Sequence, residues 1–428
     1  MFERFRSLAS AAPGATAVVE AGSGRTVSRS ELLARAEELA AGIEPGTLIP
    51  IQLPNSAEFV AAVLAAFRQN AVAIPIDRDA TEAEVAAILT HFDAGRVSRC
   101  LPSDARLIKL TSGSTGKPKG IVTSEANLLA DCRNICSSMD IRPDDVNFGA
   151  IPISHSYGFS NLVTPLLTQG TVLVISNDYL PVSIIEYCNR WRCTVLPGIP
   201  MMFDHLASSD RAAGSFDTVR TFISAGAPLP PHTSRRFRER FGTSIHSFYG
   251  CSECGGITYD REGAAVERGT VGGALEGVTI ALRGARLVVR SDSVALGYLH
   301  DARTFDRFEP TFTTDDLAEL RGAEIVLTGR AGDLINVAGK KVNPREVEQA
   351  ILEIEGVRQV KVFGEPAGAR GEVVAAAVVA SPDVTRDQVR AFCRARLTSH
   401  KVPRIVKLIE RIPVDERGKI RRSALAEL

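Results

Sequence analysis

The stretch richest in chemical potential is Thr111 to Gly120, TSGSTGKPKG, directly after the apolar strand candidate Leu107 to Leu110. Its glycines let backbone amides approach a ligand closely, its hydroxyl side chains add donors, and Lys117 and Lys119 add positive charge. A polyphosphate is the natural guest for such a loop. The bland alternative is a flexible polar turn, since Gly and Ser commonly mark turns. Two other phosphate motifs fail on spacing: a Walker loop needs Gly-Lys-Ser/Thr, whereas Pro118 follows Lys117, and no G-x-G-x-x-G is present. Cys251 and Cys254 form a C-x-x-C, but a four-ligand zinc site needs a second pair and none has matching spacing.

The elements that must hold this loop read as α/β. Ser28 to Ala41 is expected to form a capped helix, Leu48 to Leu53 a strand, Ser56 to Arg68 a helix and Ala71 to Ile76 a buried strand. Further strands are expected at Thr171 to Ile175, Cys193 to Leu196 and Thr221 to Ile223, separated by helix-length segments. That alternation implies a large N-terminal α/β domain of layered sheets and helices with parallel strands. From about Arg330 the texture changes: Val342 to Ile354 and Arg386 to Leu397 look helical, and Val357 to Phe363 and Val373 to Val379 look like strands. A small α+β C-terminal domain is the expectation.

The 428 residues are 45% apolar, and fifty basic residues balance fifty acidic ones, so no global field favours nucleic acid or an anionic membrane. An anionic ligand must be held locally. The residues from Met1 to Ser10 lack the apolar core of a signal peptide, no stretch is apolar enough for a membrane span, and the scattered cysteines are expected as free thiols, which together suggest a cytoplasmic protein.

TSGSTGKPKG resembles the phosphate loop of the adenylate-forming superfamily, which includes acyl-CoA synthetases, firefly luciferase and peptide-synthetase adenylation domains. Six further stretches match in the superfamily's order: SAGAPL at Ser224, YGCSE at Tyr249, TDDL at Thr314, GRAGDLI at Gly329, GKKVNPREVE at Gly339 and RGKI at Arg417. The resemblance runs from PNSAEFVAAVLAAF at Pro54 to Lys419, and the motifs are nearest to those of acyl-CoA synthetases. It implies that Thr111, Ser112, Gly113, Ser114, Thr115, Gly116 and Lys117 hold the phosphates of ATP. Gly226, Ala227 and Pro228 would line the adenine slot, Tyr249 would stack on the base, and Gly250 and Ser252 would complete that motif. Glu253, with Thr115, would hold Mg²⁺, Asp316 would bind the ribose hydroxyls, and Arg330 would add a ribose contact. Lys419 would bridge the substrate carboxylate and the α-phosphate. The implied domains are 1–329 for ATP and acid, a hinge at 330–333, and 334–428 carrying the catalytic lysine. Chemistry makes the same demand, because a carboxylate attacking phosphorus brings two anions together and needs cations in a shielded site.

Two positions depart from the superfamily pattern. Asp315 stands where glycine commonly precedes the ribose aspartate, adding like charge beside Asp316. Gly332 stands at a hinge position that is commonly Asp or Lys, and glycine permits the φ/ψ change of a domain rotation.

PISHSYGF, Pro152 to Phe159, matches the segment where acyl-CoA synthetases place a group beside the substrate carboxylate, which makes His155 the third catalytic candidate. Amino-acid-activating relatives usually carry Asp there, whereas no acid occurs between Ile151 and Thr168, so an amino acid substrate is disfavoured, because a buried ammonium without a partner would be costly. Met201, Met202 and Phe203 suggest an apolar pocket wall, although three adjacent residues cannot all face one way on a helix. The expected reaction is activation of a fatty or aryl acid to acyl-AMP and transfer to a thiol of CoA or of a carrier-protein phosphopantetheine. One alternative is a ligase that serves only an acyl carrier protein. Another, from a different class, is a non-catalytic nucleotide-binding scaffold, which the departures at Asp315 and Gly332 would permit.

Overall fold

A computed structural model describes residues 1–112, 118–209, 214–337, 340–366 and 372–413. The chain divides into two compact units, Met1–Ile280 with Val289–Phe312, and Ala281–Val288 with Thr313–Leu428.

The helices of the first unit start where the sequence provides caps. Ser28 and Glu31 form a reciprocal capping box on helix Arg29–Ala40, Thr81 and Glu84 do the same on Glu82–Phe92, and Ser124 with Asn127 opens Glu125–Met139. Ser56 caps helix Ala57–Arg68, in which all but three residues are buried, so this helix is apolar nearly all round and runs through the core. Strand Leu48–Gln52 and strand Val72–Ile76 pair in parallel on either side of that helix in sequence, forming a β-α-β unit.

Two sheets organise the unit. In the larger one, strands Val146–Gly149, Val195–Gly198, Thr221–Ser224 and Ile245–Cys251 lie side by side and parallel. Strands Val195–Gly198 and Thr221–Ser224 are buried throughout, which fits the centre of a parallel sheet covered on both faces. The second sheet has six strands in the order Thr304–Arg307, Gly297–Asp301, Pro118–Ser124, Ala105–Ser112, Val72–Ile76 and Leu48–Gln52. Its central hairpin pairs Thr111 with Lys119 and Ser112 with Pro118, and so holds the two ends of the phosphate loop.

In the second unit, strands Thr311–Arg321 and Glu324–Arg330 form a hairpin that pairs Asp316 with Arg330. The second unit takes in this hairpin, so the division by contacts falls near Thr313. A 3-10 turn, Ala331–Asp333, follows. Strand Glu372–Ala380 is the centre of a three-stranded sheet with Val357–Pro366 and Ile405–Leu408. Val347, Ile351, Val389 and Cys393 from helices Pro344–Leu352 and Arg386–Arg396 pack with Val362, Val374 and Val378 of that sheet. The first of these helices starts two residues later than its apolar pattern suggested. Val342 is paired with Ile335 in a short strand, and Asn343 accepts from Arg345 N with Pro344 in the first turn. Among the described residues no helix is long and apolar enough to cross a membrane.

Candidate active site

Four of the sequence-predicted segments leave the carboxyl ends of the four neighbouring parallel strands. The acid segment follows Val146–Gly149, the Ile199–Phe203 run follows Val195–Gly198, the Gly226–Pro228 loop follows Thr221–Ser224, and Tyr249–Glu253 closes and follows Ile245–Cys251. Ligands of open parallel sheets bind at this edge, because the loops there converge from strands that the sheet holds rigidly.

The acid segment is held by a residue whose role was not expected. Asn55 is buried, donates to Ile151 O at 2.9 Å and accepts from Ile153 N at 3.0 Å, clamping the backbone just ahead of His155. Gly158 is required three residues later, since a Cβ there would stand 2.1 Å from Pro152 O. Tyr157 donates to Ile223 O at 3.0 Å, and burial pushes its hydroxyl well above the ordinary tyrosine range, so it stays a neutral donor.

His155 is half-buried, and its Nε2 lies 3.0 Å from Asp77 Oδ2. This carboxylate comes from the end of strand Val72–Ile76, outside the acid-free segment from Ile151 to Thr168. Asp77 is already engaged, because its Oδ1 also accepts from Asp79 N at 3.1 Å. Of the three apolar residues expected to wall the pocket, Phe203 is core, packed edge-on against Phe222 and Phe237. Met202 is buried against Gly198, and Met201 is exposed.

On the nucleotide side, Gly226, Ala227 and Pro228 are exposed, and Gly226 has a φ of +86°. Tyr249 is half-buried, at a register shift between strands Ile245–Cys251 and Gly255–Tyr259. Gly250 cannot carry a side chain there, because a Cβ would lie 2.4 Å from Gly255 O. Ser252 and Ser156 share a hydroxyl hydrogen bond of 2.7 Å, which joins the adenine motif to the acid segment. Glu253 Oε1 accepts from Tyr298 hydroxyl at 2.8 Å. Hydrogen bonding to Cys254 and burial push the Cys251 thiol well above its ordinary range, the state of an inert thiol.

In the second unit, Asp316 is nearly buried, and Arg330 Nε donates to its Oδ1 at 2.7 Å. Asp315 points to the opposite face of the strand, where it is exposed and pairs with Arg286 at 3.2 Å. The like charge expected beside Asp316 is thus turned away from it and neutralised. Gly113, Ser114, Thr115, Gly116 and Lys117 lie outside the described residues, as does Lys419. For Ser112 only the backbone pairing is described, and Thr111 Oγ1 donates to Lys119 O at 3.4 Å.

Among the described residues no group of three His, Cys, Asp or Glu side chains could hold a metal alone. Mg²⁺ fits this pattern, because it keeps several waters and takes one or two carboxylates plus substrate phosphates. Glu253, partly exposed and with one oxygen oriented by Tyr298, is a carboxylate of that kind.

The family model described as AMP-binding enzyme matches residues 5–98 and 94–299, and that of the AMP-binding enzyme C-terminal domain matches 346–419. A feruloyl-CoA synthase of an Amycolatopsis species is 27% identical, covering 95% of this chain and 94% of its own. A long-chain-fatty-acid–CoA ligase of Mycobacterium tuberculosis is 25% identical, covering 91% and 89%. The crystal structure of ATP-bound MatB from Rhodopseudomonas palustris superposes with a TM-score of 0.86 at 25% identity, covering 100% of this chain and 98% of that one.

Proposed function

Because this chain belongs to the AMP-binding enzyme family as an acyl-CoA synthetase-like, AMP-forming ligase, we propose that its substrate is a fatty or aryl acid without an α-amine, and that the acyl group goes from AMP to the thiol of CoA or of a carrier-protein phosphopantetheine. The observation that carries this reading is the convergence of the acid segment, the adenine-slot loop and Glu253 on one edge of four adjacent parallel strands. That geometry lets an acid and a nucleotide meet.

In the first half-reaction a carboxylate oxygen attacks the α-phosphorus, the acyl–phosphate bond forms, and the α–β bridge breaks to release pyrophosphate. Thr111 to Lys117 would hold the leaving phosphates and Asp316 the ribose, and Lys419 would neutralise the charge developing between carboxylate and phosphorus. Glu253 and Thr115 would hold Mg²⁺, which would supply charge neutralisation on the phosphates. In the second half-reaction the thiol attacks the acyl carbon and AMP leaves. A groove of about 530 Å³ in the second unit, lined by Arg390, Arg394 and Arg404 with Ser399, Val402 and Pro403, suits the phosphates of an acceptor of this class.

The domain division at 329, with a hinge at 330–333, belongs to the same proposal. A Cβ at Gly332 would meet nothing within 4 Å, so packing in this conformation does not require glycine there. A need for freedom between the two half-reactions would account for it.

The lack of any Asp or Glu from Ile151 to Thr168 supports rejection of amino acids, and Asp77, which stands beside His155, already has a hydrogen bond at each oxygen. The feruloyl-CoA synthase and the fatty-acid ligase among the relatives support an aryl or fatty acid. The experiment is incubation with ATP, Mg²⁺, a panel of such acids and either CoA or a phosphopantetheinylated carrier protein. An acyl thioester accompanied by one AMP per turnover is expected, and adenylation with no thioester on either acceptor would refute the transfer step.

Asp316 contributes a separate expectation. Asp316→Ala removes a charged acceptor and leaves Arg330 without it, so the KM for ATP should rise about tenfold or more, while kcat at saturating ATP changes little. An unchanged KM, measured by initial rates of pyrophosphate release, would contradict the ribose role.

A further inference from the structure

We infer that Tyr298, which no sequence motif singled out, is a positioning residue that couples Glu253 to the base of the phosphate hairpin. The inference rests on the reading of Glu253 as the metal-side carboxylate. Tyr298 sits on strand Gly297–Asp301, which pairs antiparallel with the outgoing arm of the hairpin, Tyr298 opposite Ile121 and Leu299 opposite Gly120. The pairing is tight, since a Cβ on Gly120 would approach Ile108 Cγ2 to 2.7 Å and Leu299 Cβ to 3.4 Å. From this strand the Tyr298 ring makes two contacts of opposite kinds. Its hydroxyl donates to Glu253 Oε1 at 2.8 Å, and its face carries Lys119 Nζ 3.1 Å from the ring centroid. Lys119 is the lysine two residues beyond Lys117, at the point where the loop re-enters the sheet.

The ring is braced. Phe308 meets it edge-on, with centroids 4.6 Å apart and planes at 89°, and Phe312 packs against Phe308 at 4.8 Å. The backbone around Glu253 is tied to the same stretch: Ala295 N donates to Glu253 O at 2.8 Å, and Ser293 Oγ donates to Cys254 O at 2.7 Å. One short segment, Ser293 to Tyr298, therefore fixes both the main chain and one carboxylate oxygen of Glu253. A carboxylate fixed this way presents its other oxygen in a set direction, as hydrogen bonds from a metal site's surroundings usually do. The cation on the ring face adds to the hydroxyl's strength as a donor by drawing electron density from the ring. The outgoing arm of the hairpin, through Lys119, and the orientation of the carboxylate then share one mechanical element.

The test is the Mg²⁺ dependence of ATP binding by the full chain without acid or thiol, measured by calorimetry, for the wild type, Tyr298→Phe, Glu253→Gln and the double variant. Tyr298→Phe keeps the ring and its contacts with Phe308 and Lys119 and removes only the hydroxyl. It should raise the Mg²⁺ midpoint about tenfold, with little change in ATP binding at saturating Mg²⁺. Glu253→Gln should raise it at least as much, and the double variant no further than Glu253→Gln alone, as expected if the hydroxyl's effect on the ion is transmitted by that carboxylate. A shift with Glu253→Gln but none with Tyr298→Phe, or shifts that multiply in the double variant, would overturn the coupling and leave the metal reading intact. No shift with Glu253→Gln would overturn the metal reading itself. Tyr298→Leu provides the control for bracing: it should reproduce the Mg²⁺ shift and also lower the melting temperature, and a lower melting temperature with no Mg²⁺ shift would reduce Tyr298 to a packing residue.

Discussion

Lys419→Ala should lower the rate of adenylation about 10²- to 10³-fold, the usual cost of removing one electrostatic donor to a transition state, while transfer from supplied acyl-adenylate keeps nearly its full rate. The asymmetry follows from where charge develops. In the first half-reaction an anionic carboxylate approaches a phosphorus flanked by anionic oxygens, and the lysine's charge is needed while that bond forms. In the second, a thiol attacks an acyl carbon already activated by AMP, and no anion is driven against phosphate. Lys419 lies in RGKI, at the last residue matched by the C-terminal family model. Single-turnover measurement of each half-reaction decides the matter, and equal losses in both would remove Lys419 from the role assigned to it.

The second large effect concerns the acid. Each methylene added within the pocket's length should raise affinity about three- to fourfold, as about 0.8 kcal/mol per buried CH₂ implies. An α-amino acid of equal size should be rejected, because the acid segment from Ile151 to Thr168 brings no carboxylate to its ammonium. Asp77, placed beside His155, is held by His155 Nε2 and by Asp79 N. Comparing kcat/KM for pyrophosphate release over a fatty-acid series, several benzoic acids and matched amino acids tests both statements. An amino acid as best substrate would mean that Asp77 exchanges His155 for the ammonium.

What was legible in the sequence was whatever a contiguous motif or a capped, periodic segment carries. The helix read from Ser56 to Arg68 is found at Ala57–Arg68, with Ser56 as its cap, and strand Ala105–Ser112 leads into the phosphate loop as its apolar run suggested. The family was legible because its motifs are local and ordered. Contacts between distant segments were not. Asp77 and His155 are 78 residues apart, Tyr298 and Glu253 are 45, and Asn55 and Ile151 are 96; nothing in local spacing announces such pairs. Asn55 had a weak signal, since it stands in PNSAEF immediately before a capped helix. The Asp315 departure could have been resolved from strand alternation, which puts neighbouring residues on opposite faces, but only once Thr311–Arg321 was known to be extended. The late start of helix Pro344–Leu352 was readable from Asn343-Pro344, and the apolar Val342 misled because it serves a strand.

Acid-dependent exchange of labelled pyrophosphate into ATP tests the account most directly, because it requires nucleotide, acid and metal to meet at one site and needs no thiol acceptor. The account predicts exchange that is absent without an acid, appears with fatty or aryl acids in the presence of Mg²⁺, and is suppressed in Lys419→Ala. Tight ATP binding with no exchange across a broad panel of apolar acids would contradict it and would make the chain a nucleotide-binding scaffold.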